Sequence, residues 1–202
     1  MKEGRDRNKN LFSRWRKTAG EVHSQGNKGK GNNKSNLIGN KHGLFDDIVG
    51  FEDVKSLFEM AIKAERPVQL LLCGPPSSGK SLFMGSLTRL ERSYYAVGSS
   101  STKSGIFDYL FEYRPRYFII DELEEMNKKD QTSLLNLMES GILSELKHNQ
   151  QRTTQLKTWV FASCNSTDRL LPPLLTRLRD IHFKPYTEEE FVDIVALRQT
   201  TL

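Results

Sequence analysis

The chain has 202 residues, 37% of them apolar, which suits one packed domain of ordinary size plus a tail. No stretch approaches the ~20 apolar residues of a membrane-spanning helix, and no apolar segment follows the charged start Met1–Asn10, so neither membrane insertion nor a secretory signal is expected. The net charge of +5 is unevenly spread: residues 1–44 hold eleven Lys/Arg against three Asp/Glu, and the remaining 158 hold nineteen against twenty-two.

Residues 1–43 form the first expected region, a disordered basic tail. It is rich in Asn, Gly, Lys and Ser, and a segment so poor in apolar residues cannot offset the entropy of ordering. Within it, Leu11–Lys17 sets Phe12 and Trp15 among Arg14, Arg16 and Lys17. That patch suits nucleic acid, an acidic membrane or an acidic partner, or it is simply solvated. Two cysteines, Cys73 and Cys164, lie in apolar runs and read as small buried residues. Their scarcity and position fit a reducing cytoplasm.

From Leu44 onward the elements alternate. Val54, Leu57, Phe58 and Ile62 recur at helical spacing over Glu52–Ala64. Val68–Cys73 is a buried strand, and Lys80–Leu90 a helix. Ser93–Val97 is a second strand, Gly105–Tyr113 a helix, Tyr117–Ile120 a third strand, and Asp130–Glu139 a helix. Gly141–Lys157, polar in its middle, reads as a β-hairpin. Thr158–Ser163 and Ile181–Phe183 complete five core strands, and Thr187 caps a last helix with Glu188, Glu189 and Glu190 in its first turn. Short apolar strands alternating with helices predict an α/β fold whose mostly parallel sheet is covered on both faces.

Two segments carry chemistry. Gly74-Pro75-Pro76-Ser77-Ser78-Gly79-Lys80-Ser81 sits between a strand and a helix and fits the Walker A pattern, with Leu82 next in the helix. Its glycines let successive backbone N–H groups face an anion, and the helix adds its positive end. Lys80 brings a full charge to β- and γ-phosphates, and Ser81 a hydroxyl for Mg²⁺. Tyr117-Phe118-Ile119-Ile120-Asp121-Glu122 fits Walker B: Asp121 is the second Mg²⁺ candidate, and Glu122 is placed to polarise an attacking water. Glu124 and Glu125 read as solvated charges.

These motifs and their flanks resemble the AAA+ ATPases over about Leu44 to Val195. The resemblance implies a P-loop NTPase three-layer sandwich with a hairpin ahead of the sensor-1 residue. It implies a core over 44–186 and the start of a helical lid over 187–202. Phe45-Asp46-Asp47-Ile48-Val49-Gly50 looks like the family's N-terminal box, so Ile48, Val49 and Gly50 would meet the adenine. Asn165 matches sensor 1, which orients water near the γ-phosphate. Leu171–Arg177 resembles the segment bearing the arginine finger, with Arg179 a second candidate. Read plainly, Arg177 is a surface arginine pairing with a nearby acid such as Asp180.

Within the family the chain is most similar to the Holliday-junction branch-migration helicase group. The features are Asp46–Val54, the hairpin, and Phe183–Phe191. The loop Gly98–Gly105 lacks the aromatic–aliphatic–glycine triplet of relatives that thread polypeptide, and the resemblance would end the sequence within the first lid helix, before a sensor-2 arginine, so that either the chain is a fragment or the lid is absent. The resemblance implies ATP and Mg²⁺ as cofactors, a homo-oligomer in the form of a ring, and Arg177 acting across a subunit boundary. The expected function is an ATP-hydrolysing motor on DNA, contacting phosphates through the tail and through Lys147, His148 and Arg152 of the hairpin. The alternatives are an ATPase that remodels a protein partner, a nucleotide-dependent scaffold without turnover, and a small P-loop kinase. Against the kinase stand Asp121, Glu122 and Asn165, a set that positions water rather than excluding it.

Overall fold

In the computed structural model the described residues are 43–99, 103–147 and 150–185. The tail, His148 and the helix expected after Thr187 lie outside them. In chain order the elements are α1 (Glu52–Lys63), β1 (Gln69–Cys73), α2 (Lys80–Leu87), β2 (Ser93–Val97), α3 (Lys103–Tyr113) and β3 (Tyr117–Asp121). A 3₁₀ turn (Leu123–Glu125), α4 (Lys128–Ser140), β4 (Ile142–Lys147), β5 (Gln150–Gln155), β6 (Trp159–Cys164), α5 (Pro172–Leu175) and β7 (Arg179–His182) follow.

Five strands form one sheet in the order β2-β3-β6-β1-β7, and every neighbouring pair is parallel. The alternation of strand side chains explains the layers. Leu70 and Leu72 of β1, with Tyr117 and Ile119 of β3, pack on one face against Phe58 of α1 and Phe83 of α2. Leu71 and Cys73, with Phe118 and Ile120, pack on the other against Leu110 of α3 and Leu134 and Leu137 of α4. Both faces of the sheet are therefore covered, which is why its strands read as continuous apolar runs. The hairpin β4–β5 stands as a separate antiparallel pair, joining Ile142 to Gln155 and Lys147 to Gln150.

Several boundaries differ from the sequence expectation. Helix α4 begins at Lys128, because the Asn127 side chain accepts a hydrogen bond from the Asp130 amide at 3.0 Å and caps the helix two residues early. Helix α2 ends at Leu87, where the next turns tighten to three-residue hydrogen bonds such as Arg89 N to Ser86 O. Strand β7 begins at Arg179 rather than Ile181. It is an edge strand, and most of its residues are exposed, so no apolar run marks it. Pro172 and Pro173 open the short helix α5 as their fixed φ predicts.

Cys73 and Cys164 are buried, free, and directly opposite one another in the β1–β6 register. Burial, and then the neighbouring Cys73, push the Cys164 thiol well above its ordinary range. Both side chains pack in the core as small buried residues, as the sequence suggested.

Candidate functional site

Parallel register brings the ends of β3, β6 and β1 side by side, so Asp121, Asn165 and the Gly74 loop emerge at one end of the sheet. Open α/β sheets bind ligands at such an end. Gly74 itself is tied to β6 by its amide, which donates to the Cys164 carbonyl at 3.3 Å. A Cβ at Gly74 would come within 2.4 Å of the Phe183 carbonyl, so no larger residue fits there.

The loop Gly74–Gly79 curls through two left-handed residues, Ser77 (φ 64°) and Gly79 (φ 91°), before α2 starts at Lys80. Alternation of this kind turns successive amides toward one point. Ser77 is not glycine, and its conformation stores strain where the loop is most curved. Lys80 is almost wholly buried, and its ammonium donates to the Gly74 carbonyl at 2.6 Å, the Pro75 carbonyl at 2.7 Å and the Ser78 hydroxyl at 3.3 Å. Burial lowers its pKa below that of an ordinary lysine; the Asp121 carboxylate opposes the shift most strongly. The cation is thus held inside the curl of its own loop.

Asp121 is fixed on all sides. Its Oδ1 accepts from the Ser163 hydroxyl and from the Glu122 amide, and its Oδ2 accepts from the Tyr95 hydroxyl at 3.0 Å. Glu122 follows in the left-handed region (φ 57°, ψ 49°), and its carboxylate takes a hydrogen bond from the Ser99 hydroxyl. The chain can make this turn because Gly98 lies against it: a Cβ there would stand 2.1 Å from the Glu122 carbonyl. A strained non-glycine residue held by close packing is a common feature of reacting centres.

Glu124 corrects the sequence reading. It is buried rather than solvated, and its Oε1 accepts the Asn165 amide at 2.8 Å. Its Oε2 is buried without a hydrogen-bond partner among the described residues. Asn165 itself has an exposed side chain just past β6. A second clamp lies beside it. Buried Gln131 donates to the Met126 and Arg169 carbonyls and accepts from the Leu171 amide, and Glu125 pairs with Arg169. These contacts fasten the exit of the third strand to the segment that runs from Asn165 to Arg177. Neither Glu124 nor Gln131 carries a local sequence signal, because the Asn165, Arg169 and Leu171 groups they bind lie about forty residues away.

Other expected residues fall in different places. Ile48 is buried with Phe45 in the core over α1 and α2, while Val49 and Gly50 are half-buried. Gly50 (φ 72°) and Phe51 (φ 58°) make the turn into α1, and Phe51 stacks on Phe183 at 4.9 Å. Arg177 does not pair with Asp180. Its Nε and one terminal nitrogen both donate to Glu139 of α4, at 2.9 and 2.6 Å, and Asp180 instead meets His182 at 2.9 Å. Arg179, level with Leu70, lies three residues before Cys73, roughly 10 Å down the strand axis. Arg177 precedes it and stands away from its own Gly74 loop, next to an edge strand. Arg152 of the hairpin is engaged within the chain: it pairs with Asp108 and lies over the Phe111 ring at 4.2 Å.

The oxygen donors at this end, the Ser81 hydroxyl and the Asp121 carboxylate, suit a hard divalent ion. Among the described residues no three His, Cys, Asp or Glu side chains group to hold a metal by themselves. The two oxygens named suit Mg²⁺ by their chemistry, since that ion takes one or two protein oxygens and fills its shell with phosphates and water. No helix of the described residues is long and apolar enough to cross a membrane.

Comparison with known proteins agrees with this geometry. The DNA replication licensing factor mcm2 of Xenopus laevis is 23% identical over 182 residues, covering 76% of this chain and 20% of that protein. Its counterpart in Xenopus tropicalis is 22% identical, covering 76% and 21%. The chain therefore spans about a fifth of the length of these curated relatives. They support the broad AAA+ resemblance and not the narrower one to the branch-migration group. The ATPase family associated with various cellular activities (AAA) matches residues 70–186, from the first core strand past the last. With more than half of the chain matched, and the loop, Asp121, Glu122 and Asn165 converging at one sheet end, the protein belongs to the AAA family of ATPases.

Proposed function

We propose that this domain binds ATP with Mg²⁺ at the Gly74–Ser81 loop, hydrolyses it, and couples hydrolysis to work on DNA. The observation that carries the reading is the convergence of Lys80, Asp121, Glu122 and Asn165 at the ends of three adjacent strands. Val49 and Gly50 flank the adenine in this reading. The backbone N–H groups of Ser77 to Leu82 face the phosphates, and Lys80 turns from the Gly74 and Pro75 carbonyls to the β- and γ-phosphate oxygens. Ser81 and Asp121 hold the Mg²⁺, which when bound neutralises phosphate charge. Glu122 accepts a proton from the water that attacks the γ-phosphorus, and the Asn165 amide orients that water. Arg177 of a neighbouring subunit meets the charge that spreads over the transferring oxygens. A guanidinium suits that task, since it stays charged and presents a planar fork.

The DNA assignment is drawn from the relatives, which are DNA replication licensing factors by name. The test is ATP turnover by wild-type and Lys80→Ala protein, with and without DNA. The reading expects wild-type turnover that DNA raises, and a Lys80→Ala protein that no longer binds a fluorescent ATP analogue. Turnover raised by unfolded polypeptide and not by DNA would move the assignment to protein remodelling. Nucleotide binding by the Lys80→Ala protein equal to wild type would remove the loop from its role.

A further inference from the structure

A second concave site lies at the other end of the sheet. It is a cavity of about 680 Å³ where α1 ends and where β2, β3 and β6 begin. Five cations line it, Lys63, Arg92, Arg114, Arg116 and Lys157, against one acid, Glu65. Lys63 pairs with Glu59 at 3.6 Å. Among the described residues no carboxylate pairs with Arg92, Arg114, Arg116 or Lys157. Cations gathered at this density raise a local positive potential that attracts an anion.

The rim is built rather than loose. Arg92 (φ 58°) and Arg114 (φ 46°) both hold left-handed backbone, an unfavourable state for a long side chain. The Arg92 guanidinium donates to the Arg114 carbonyl at 2.8 Å, and the Arg92 carbonyl accepts the Arg116 amide at 2.9 Å. The Trp159 amide donates to the Arg116 carbonyl at 2.8 Å, and the Arg116 guanidinium lies over the buried Trp159 ring at 4.8 Å. Lys157 sits over the same ring at 5.9 Å. Arg92 and Arg116 are thus held at the rim by the Arg114 carbonyl and the Trp159 indole, with Lys157 over the same ring.

Beside the cavity runs a stack of tyrosines. Tyr94 and Tyr109 are 3.8 Å apart and nearly parallel, and Tyr109 and Tyr113 are 4.3 Å apart. The outermost, Tyr113, is 57% exposed and directly precedes Arg114. An acidic peptide would use the cations and have no use for the ring. A single nucleic-acid strand uses both: guanidinium forks take its phosphates, and an exposed flat ring takes a base.

We propose that this cavity and Tyr113 form a binding site for single-stranded nucleic acid, at the end of the sheet opposite the ATP loop. The proposal rests on the reading that this ATPase works on DNA, and it names the surface that meets the strand. It is a contact surface besides the tail and the hairpin, whose Arg152 pairs with Asp108 and lies over Phe111.

The test is fluorescence anisotropy of the full chain with a labelled oligothymidylate over a range of salt. The Arg114→Gln/Lys157→Gln protein should lose at least about tenfold in affinity, and its salt slope should fall by roughly 1.4, about 0.7 for each phosphate contact on a single strand. Tyr113→Ala should lose about tenfold as well, whereas Tyr113→Phe, which keeps the ring, should bind as wild type. Turnover of ATP without oligonucleotide should be unchanged in all three, which also reports that they fold. Unchanged affinity and slope in the double variant would overturn the proposal, and so would polyglutamate competing as strongly as oligothymidylate. Wild-type protein that hydrolyses ATP and binds no oligonucleotide would sink this site and leave the ATPase reading standing. Oligonucleotide binding lost in the variants, in a protein that never hydrolyses ATP, would do the reverse.

Discussion

The two ends of the central sheet are built on opposite electrostatic plans. At the ATP loop one buried cation, Lys80, faces a group of carboxylates, Asp121, Glu122 and Glu124, each held by hydroxyl or amide donors. At the other end exposed cations outnumber the single acid, and most of them have no ion-pair partner among the described residues. The first arrangement is compact and aimed, as a reaction at one phosphorus atom requires. The second is spread over four chain segments, as contact with an extended polyanion requires. Strain is placed at both ends, in Ser77 and Glu122 at one and in Arg92 and Arg114 at the other. One sheet thus fixes two different geometries by the same means, a tight turn locked against its neighbours.

The largest expected effect breaks the ATP end from outside the subunit. Replacing Arg177 with Ala should leave ATP binding intact and lower hydrolysis by about 10³–10⁵, the worth of an arginine finger. Mixing that protein with a Lys80→Ala protein should restore part of the activity, because the second lends its Arg177 to the intact loop of the first. Glu139, which holds Arg177 in the present arrangement, must release it for this to happen. Activity that mixing never restores, and that is independent of protein concentration, would argue for the plain surface pair instead.

A smaller effect sharpens the comparison within the ATP end. Glu124 accepts the Asn165 amide through Oε1, so Glu124→Ala should free the sensor segment and lower kcat roughly 10- to 100-fold, the usual worth of a hydrogen bond to a charged group. Glu124→Gln keeps a carbonyl acceptor and should stay near wild type. KM for ATP should move little in either, since Glu124 positions Asn165 and touches no part of the nucleotide in this account. A fall in ATP affinity that matches the fall in kcat would place Glu124 among the binding groups.

What the sequence made legible follows from how local each feature is. The Gly74–Ser81 loop and the Asp121-Glu122 pair stand out because their chemistry is contiguous and sits where an apolar strand ends. The parallel, doubly covered sheet was legible for the same reason, since β1, β3 and β6 are almost continuously apolar. Strand β7 was misjudged at its start because Arg179 and Asp180 are exposed at the sheet edge and share no pattern with the buried strands. Glu124 looked like a solvated charge because only the tertiary fold brings Asn165 over it. Arg177 and Arg152 find their acids 38 and 44 residues away, so no neighbour in sequence could name Glu139 or Asp108. The basic cavity was hidden for a related reason. Its cations come one or two at a time from separate segments, and the net charge of the core is slightly acidic.

The central claim is that the ATP end performs hydrolysis with Glu122 as the group that takes the proton of water. The most direct measurement follows bound nucleotide in the Glu122→Gln protein beside wild type, by rapid filtration of labelled ATP. The account predicts that the variant binds ATP as tightly as wild type, retains it uncleaved, and turns over about 10²–10⁴-fold more slowly. Release of phosphate by Glu122→Gln at the wild-type rate would contradict it.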